Sequence, residues 1–160
     1  TLVISDMKTL DKSVEVLNDL IEINNDRMAG FAQAAKELSE KDLDLRTLFM
    51  ELRPDSRENV HALGRSIHKC GGAVEMAMSG RGALHRMWLD LKSTVTGSDR
   101  KSILRECERG EDAIKKAYET ALLPESGLGP EYVEIVKRQQ EAIIASHNQV
   151  KDLRDSEKND

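Results

Sequence analysis

The sequence predicts an all-α protein, a bundle of four long amphipathic helices with one short extra helix between the second and third. Three observations predict it. Four stretches carry apolar residues at three- and four-residue steps, which places them on one helix face, and no stretch gives a strand signal. Only 3% of residues are aromatic while Ala, Leu, Glu, Lys and Arg abound, a composition that favours helix over sheet. A length of 160 residues supports one domain with its own core and is short for two.

The first helix is expected over about residues 8–38, where Leu10, Val14, Leu17, Ile21, Met28, Ala32 and Ala35 form one stripe. The second is expected over about residues 42–70, on Leu45, Leu48, Phe49, Leu52, Val60, Leu63 and Ile67. That stripe stays in phase across Pro54, so the segment reads as one helix bent at the proline and ended by Gly71 and Gly72. Leu84, Trp88, Leu91 and Val95 predict a short connecting helix over about residues 82–95, stopped by "TGSD". Ser98 or Asp99 can cap a third long helix over about residues 98–122, whose stripe is Ile103, Cys107, Ile114, Tyr118 and Ala121. "PESGLGP" is a turn-rich loop, and Pro130 suits the first turn of a last helix over about residues 130–154, on Val133, Val136, Ile143, Val150 and Leu153. The tail, residues 155–160, is expected to fray. The long spacer after the second helix can carry the chain back along the bundle, giving two antiparallel pairs joined by a crossover as in ferritin-like folds. A simple up-down bundle is the alternative.

Charge and cysteine usage narrow the function. A net charge of −5 with acids and bases interspersed argues against nucleic acid as a partner. No apolar run is long enough for a membrane span, and the opening "TLVISDMKTL" lacks the segments of a signal peptide. Cys70 and Cys107 make neither a disulfide framework nor a zinc motif, so a reducing cytoplasm is the expected setting.

Three blocks in order, "LNDLIEINNDR", "GALHRMWLDLKSTVTG" and "ILRECERGEDAIKKAY", resemble a bacterial ferritin-like four-helix-bundle family catalogued as a domain of unknown function, number 2383. The likeness runs from about Val14 to Leu153. It implies the ferritin-like fold and no established activity, and Pro54 departs from what the resemblance implies for the middle of the second helix.

A ferritin-like bundle that holds two iron or manganese ions needs one Glu on each of two helices and Glu-x-x-His on each of the other two. The second helix offers Glu58 and His61 in "ENVH", but both fall off its apolar stripe and are expected to face water. On the last helix His147 lies on the stripe, yet the position three residues earlier is Ile144, which cannot ligate. Glu22, Glu106 and Glu108 sit at the flanks of their stripes. The candidate metal ligands that remain are Glu22, Glu111 and His147, an incomplete set.

Polar residues that fall on or near the inward stripes, Asn24 or Asn25, Glu111, Gln140 and His147, are better explained as a buried hydrogen-bonded network fixing helix register, with Asn25 taken as the first member. Counting along the last hairpin puts Glu111 beside Gln140, and Cys107 nearer His147 and Ile144. Within "ECERGED", Glu111 is then the inward residue, while Glu106, Glu108 and Asp112 are expected in ion pairs with Arg or Lys at the rim. Gly110 would allow close helix approach. Cys107 as a nucleophile is the weaker reading, because buried thiols are commonly inert. In "SGRGALHRMW" no phosphate-binding fingerprint is present, and His85 and Arg86 are candidates for a partner surface.

The expected function is therefore that of a non-enzymatic interaction or stress-related structural module, a homo-oligomer such as a dimer with an unidentified protein partner and no cofactor. The alternative is a metal-binding protein or oxidase using iron or manganese through an atypical ligand set.

Overall fold

The computed structural model describes residues 2–74 and 99–157, which form four α-helices and no strand. These are α1 (Leu2–Glu37), α2 (Leu43–Lys69), α3 (Arg100–Ala121) and α4 (Pro130–Glu157). The expected connecting helix over residues 82–95, with His85 and Arg86, lies outside the described residues, as do residues 158–160.

Each helix end follows from its local sequence. α1 begins at Leu2 rather than near residue 8, and nothing in the opening stretch is a Pro or Gly that would stop it. A 3-10 turn at Glu40–Asp42 separates α1 from α2, and Arg46 Nη2 donates to the carbonyl of Leu38 at 2.8 Å. α2 runs unbroken through Pro54. The missing N–H of Pro54 leaves the Met50 carbonyl without its helical donor, but both residues are exposed, so water can serve that carbonyl. At the end of α2, Gly71 takes φ 80° and its N–H donates to His68, while the Gly72 N–H donates to Ile67. This is a Schellman motif, and the left-handed φ is why glycine stands at position 71. Asp99 caps α3 from an extended conformation, its carbonyl accepting from Ile103 N–H at 3.0 Å. Pro130 occupies the first position of α4, where its missing N–H costs nothing.

Cross-helix hydrogen bonds give the topology. Asn24 and Arg27 of α1 meet Tyr118 and Glu111 of α3 in that order, so the two helices are antiparallel. The same reasoning makes α1 antiparallel to α2 through Asn24–Asn59 and Arg27–Ser56, and α3 antiparallel to α4 through Tyr118–Gln139 and Glu111–Ser146. Helices α2 and α3 therefore run parallel. The simple up-down alternative is thereby eliminated. The chain leaves α2 at one end, where Asn18 Nδ2 donates to the Ala73 carbonyl, and enters α3 at the other, where Arg100 pairs with Asp42, Asp44 and Glu157.

Arg100 also accounts for the last turn of α4. Residues 155–157, expected to fray, are helical, and the Glu157 carboxylate is held by Arg100 Nε at 2.8 Å.

The core is divided in two. One apolar cluster gathers Leu17, Leu20, Ile21, Leu63, Ile67, Ile114, Val136 and Ile143. The other gathers Phe31, Leu45, Phe49, Leu52, Ile103, Leu104, Cys107 and Val150, with the Phe31 and Phe49 rings stacked at 5.5 Å. Between them every helix contributes buried polar side chains.

Candidate functional site

The band between the clusters is built from residues spaced at three- and four-residue steps along each helix. On α1 the buried positions Leu17, Leu20, Asn24, Arg27 and Phe31 follow one seam, and on α2 Leu52, Ser56, Asn59 and Leu63 do the same. On α4 the seam is Tyr132, Val136, Gln139, Ile143, Ser146 and Val150. Polar residues therefore occupy positions that packing reserves for the interior, and each must find a partner.

Arg27 and Glu111 are 4% and 1% exposed, so both charges lie in the interior. Their contact is two-pronged: Nε donates to Oε1 at 2.6 Å and Nη2 to Oε2 at 3.0 Å. The rest of the guanidinium is also occupied. Nη1 donates to Ser56 Oγ at 2.8 Å and reaches the Leu52 carbonyl at 3.5 Å, and Nη2 donates to Ser146 Oγ at 2.7 Å. Ser146 in turn donates to Glu111 Oε2 at 2.6 Å. The Phe31 ring lies against the guanidinium, 4.8 Å from its carbon to the ring centroid. All five N–H groups of Arg27 thus have acceptors, drawn from α2, α3 and α4, and the residue itself comes from α1.

One turn away a neutral ring closes across the same four helices. Asn24 Nδ2 donates to Tyr118 Oη at 2.9 Å and to the Leu20 carbonyl at 2.8 Å. Tyr118 Oη donates to Gln139 Oε1 at 2.7 Å, Gln139 Nε2 to the Asn59 carbonyl at 3.3 Å, and Asn59 Nδ2 to Asn24 Oδ1 at 3.2 Å. Burial pushes the Tyr118 hydroxyl well above the ordinary tyrosine range, with the Asn24 hydrogen bond acting the other way, so it serves as a neutral hydrogen-bonding group.

The residues singled out in the sequence are distributed differently from the expectation. Glu111 is inside, but its neighbours are Arg27 and Ser146 rather than Gln140. Asn24 and Gln139 are the inward amides, and Asn25 and Gln140 are half-buried, because each lies one residue, about 100° around the helix, off the seam. His147 is buried, yet its ring nitrogens meet Asp112 and Asn148 at the seam between α3 and α4, not Glu111. Asp112 thus faces a histidine where a pairing with Arg or Lys was expected. Glu108 is more buried than a flank position suggests, and Arg154 Nη1 meets its carboxylate at 2.8 Å. Glu22 is half-buried, and Glu106, Glu58 and His61 are exposed. Gly110 does not mark a close approach, because a Cβ added there would meet nothing within 4 Å. Burial, reinforced by Glu111 and Glu106, pushes the Cys107 thiol far above its ordinary range, which disfavours the thiolate a nucleophile requires.

These residues do not fit a dinuclear metal centre. Among the described residues no group of three or more His, Cys, Asp or Glu is placed to hold an ion. Two inward positions three apart are available on α2 and on α4, as a Glu-x-x-His pair would need, but they hold Ser56 with Asn59 and Ile143 with Ser146. Of the three carboxylates buried among the described residues, Glu111 is bound by Arg27 and Glu108 by Arg154, and Asp19 lies eight residues before Arg27, about 12 Å along α1 at 1.5 Å per residue.

The family model described as "Domain of unknown function (DUF2383)" matches residues 12–123, from α1 to the end of α3. No curated protein matches the chain in sequence. Among solved structures, a ferritin-like, diiron-carboxylate protein from Bacillus anthracis strain Ames superposes with a TM-score of 0.66 at 17% identity, over 91% of this chain and 94% of that one. At that identity the likeness is one of fold.

Proposed function

The chain belongs to the DUF2383 family, a domain of unknown function with a ferritin-like fold, and from that premise we propose that it is a non-enzymatic member of the ferritin-like architecture that acts by association rather than by metal chemistry. The observation that carries this reading is the Arg27–Glu111 pair. A guanidinium with every donor satisfied fills the middle of the bundle, where a metal-dependent relative would need converging carboxylates and imidazoles. No other described group supplies a reactive centre in its place: Cys107 is sealed in an apolar cluster, and His147 is turned to the α3–α4 seam.

With the interior committed to structure, function passes to the outer faces. Leu43 and Met50, 62% and 52% exposed and seven residues apart, lie on the same outward face of α2. A pair of such faces related by a two-fold axis would cover both residues, which supports a homodimer as the working form. The protein partner and the stress-related role expected from the sequence belong to this same reading, as does a cytoplasmic setting for a chain with two free cysteines. No described helix is long and apolar enough to cross a membrane. Light scattering on the wild type and on Leu43→Asp/Met50→Asp tests the association. A mass twice the 17.9 kDa monomer that falls to the monomer in the variant is expected; a monomeric wild type would count against it.

A further inference from the structure

The acceptors around Arg27 form a cradle that is complete without the arginine's own backbone. Glu111 Oε1 and Oε2, Ser56 Oγ, Ser146 Oγ and the Leu52 carbonyl come from three other helices, and the Phe31 ring closes one face. The geometry matches a flat, forked monocation. The two carboxylate oxygens receive parallel N–H bonds, which an ammonium, as a compact point charge, cannot reproduce. It does not match a compact dication, since one carboxylate with two hydroxyls and a carbonyl leaves a doubly charged ion short of anionic ligands.

We propose that the centre of this bundle is a guanidinium-selective cation site whose resident ion is the covalently tethered side chain of Arg27. This deepens the metal-independent reading above and rests on it. The site's charge balance is internal, one guanidinium against one carboxylate, so the bundle can assemble around it with no ion taken from solution.

Truncating Arg27 to alanine removes an ethylguanidinium unit, so that ion is the matching probe. In Arg27→Ala, thermal melts are run with millimolar ethylguanidinium, ethylammonium, Mn(II) or anaerobic Fe(II), each against sodium chloride of equal ionic strength. The expected result is a lowered melting temperature that ethylguanidinium raises saturably, that ethylammonium raises less, and that the metals leave unchanged, with no ethylguanidinium effect on the wild type. Should Arg27→Ala not fold unaided, refolding yield from urea in the presence of each ion gives the same comparison. Rescue by Mn(II) or Fe(II) equal to that by ethylguanidinium would overturn the selectivity, and absence of any rescue would overturn the site. Stoichiometric metal on the wild-type chain would contradict the metal-independent reading as a whole, whereas failed rescue in a chain that stays metal-free contradicts this inference alone.

Discussion

Arg27 of α1 and Glu111 of α3 lie 84 residues apart in sequence, yet their side chains meet in a two-pronged ion pair almost sealed from solvent. Removing one partner strands the other charge inside. Glu111→Gln is expected to destabilise the fold by about 3–5 kcal/mol, because the guanidinium then stays buried without its counter-charge. The double variant Arg27→Met/Glu111→Leu is expected to recover most of that loss, since the net value of a buried pair over apolar replacements is small. Urea denaturation of the single and double variants checks both.

Tyr118 links two amides in the neutral ring, accepting from Asn24 and donating to Gln139. Tyr118→Phe keeps the ring's volume and takes the hydroxyl from one Asn24 N–H and from Gln139 Oε1, while Asn24 keeps its bond to the Leu20 carbonyl and both amides their links to Asn59. The expected cost is about 1–3 kcal/mol in equilibrium unfolding, the penalty for buried polar groups left without hydrogen bonds. A loss near zero would mean that water replaces the hydroxyl.

Two glycines should respond to alanine in opposite directions. A Cβ at Gly72 would lie 2.8 Å from Val14 Cγ2 and 3.2 Å from Ile67 Cγ2, so Gly72→Ala forces the Val14 side chain or the turn after α2 to shift. The expected cost is about 1–3 kcal/mol, as for other overpacked sites. Gly110 is inside α3 with open space around it, and Gly110→Ala is expected to stabilise by up to about 1 kcal/mol through helix propensity. Melting temperatures of the two variants, measured side by side, test the pair.

At the far end of the bundle, the hydrogen bond from Arg100 holds the Asp44 carboxyl below its ordinary value of 3.8. A carboxylate whose pKa is lowered on folding contributes stability above its unfolded value and loses it as pH falls through the folded one. The stability difference between wild type and Asp44→Asn should therefore be constant near neutrality and shrink below pH 3.8. Because the Asp44 side chain is 60% exposed, the difference should be small and should fall with added salt. Urea midpoints across that pH range, at low and high salt, give the comparison.

The helices were legible because their apolar stripes are long and their stops are unambiguous: Gly71, Gly72, Pro124 and Pro130 all fall at helix ends or in the connection between α3 and α4. Glu111 was legible because it falls in step with Cys107, Ile114 and Tyr118. Its partner was not. Arg27 reads as a surface residue when only apolar side chains define the stripe, and the apolar count on α1 drew the face through Met28 and Ala32, both half-buried. The seam through Leu20, Asn24, Arg27 and Phe31 emerges only when polar residues are allowed at interior steps. The same one-residue shift separates Gln139 from Gln140 and brings Ser146 inward, and no motif marks a serine as a helix-bridging group. Long-range pairing supplies what periodicity lacks, since the identity of Arg27's acceptors depends on how three other helices dock.

Elemental analysis of untagged protein purified without chelator, before and after anaerobic Fe(II) loading, addresses the Arg27–Glu111 centre most directly, with Glu111→Ala and His147→Ala alongside. Metal far below one ion per chain in the folded wild type, unchanged in either variant, is the expected result. Stoichiometric iron in the wild type that disappears in both variants would contradict it.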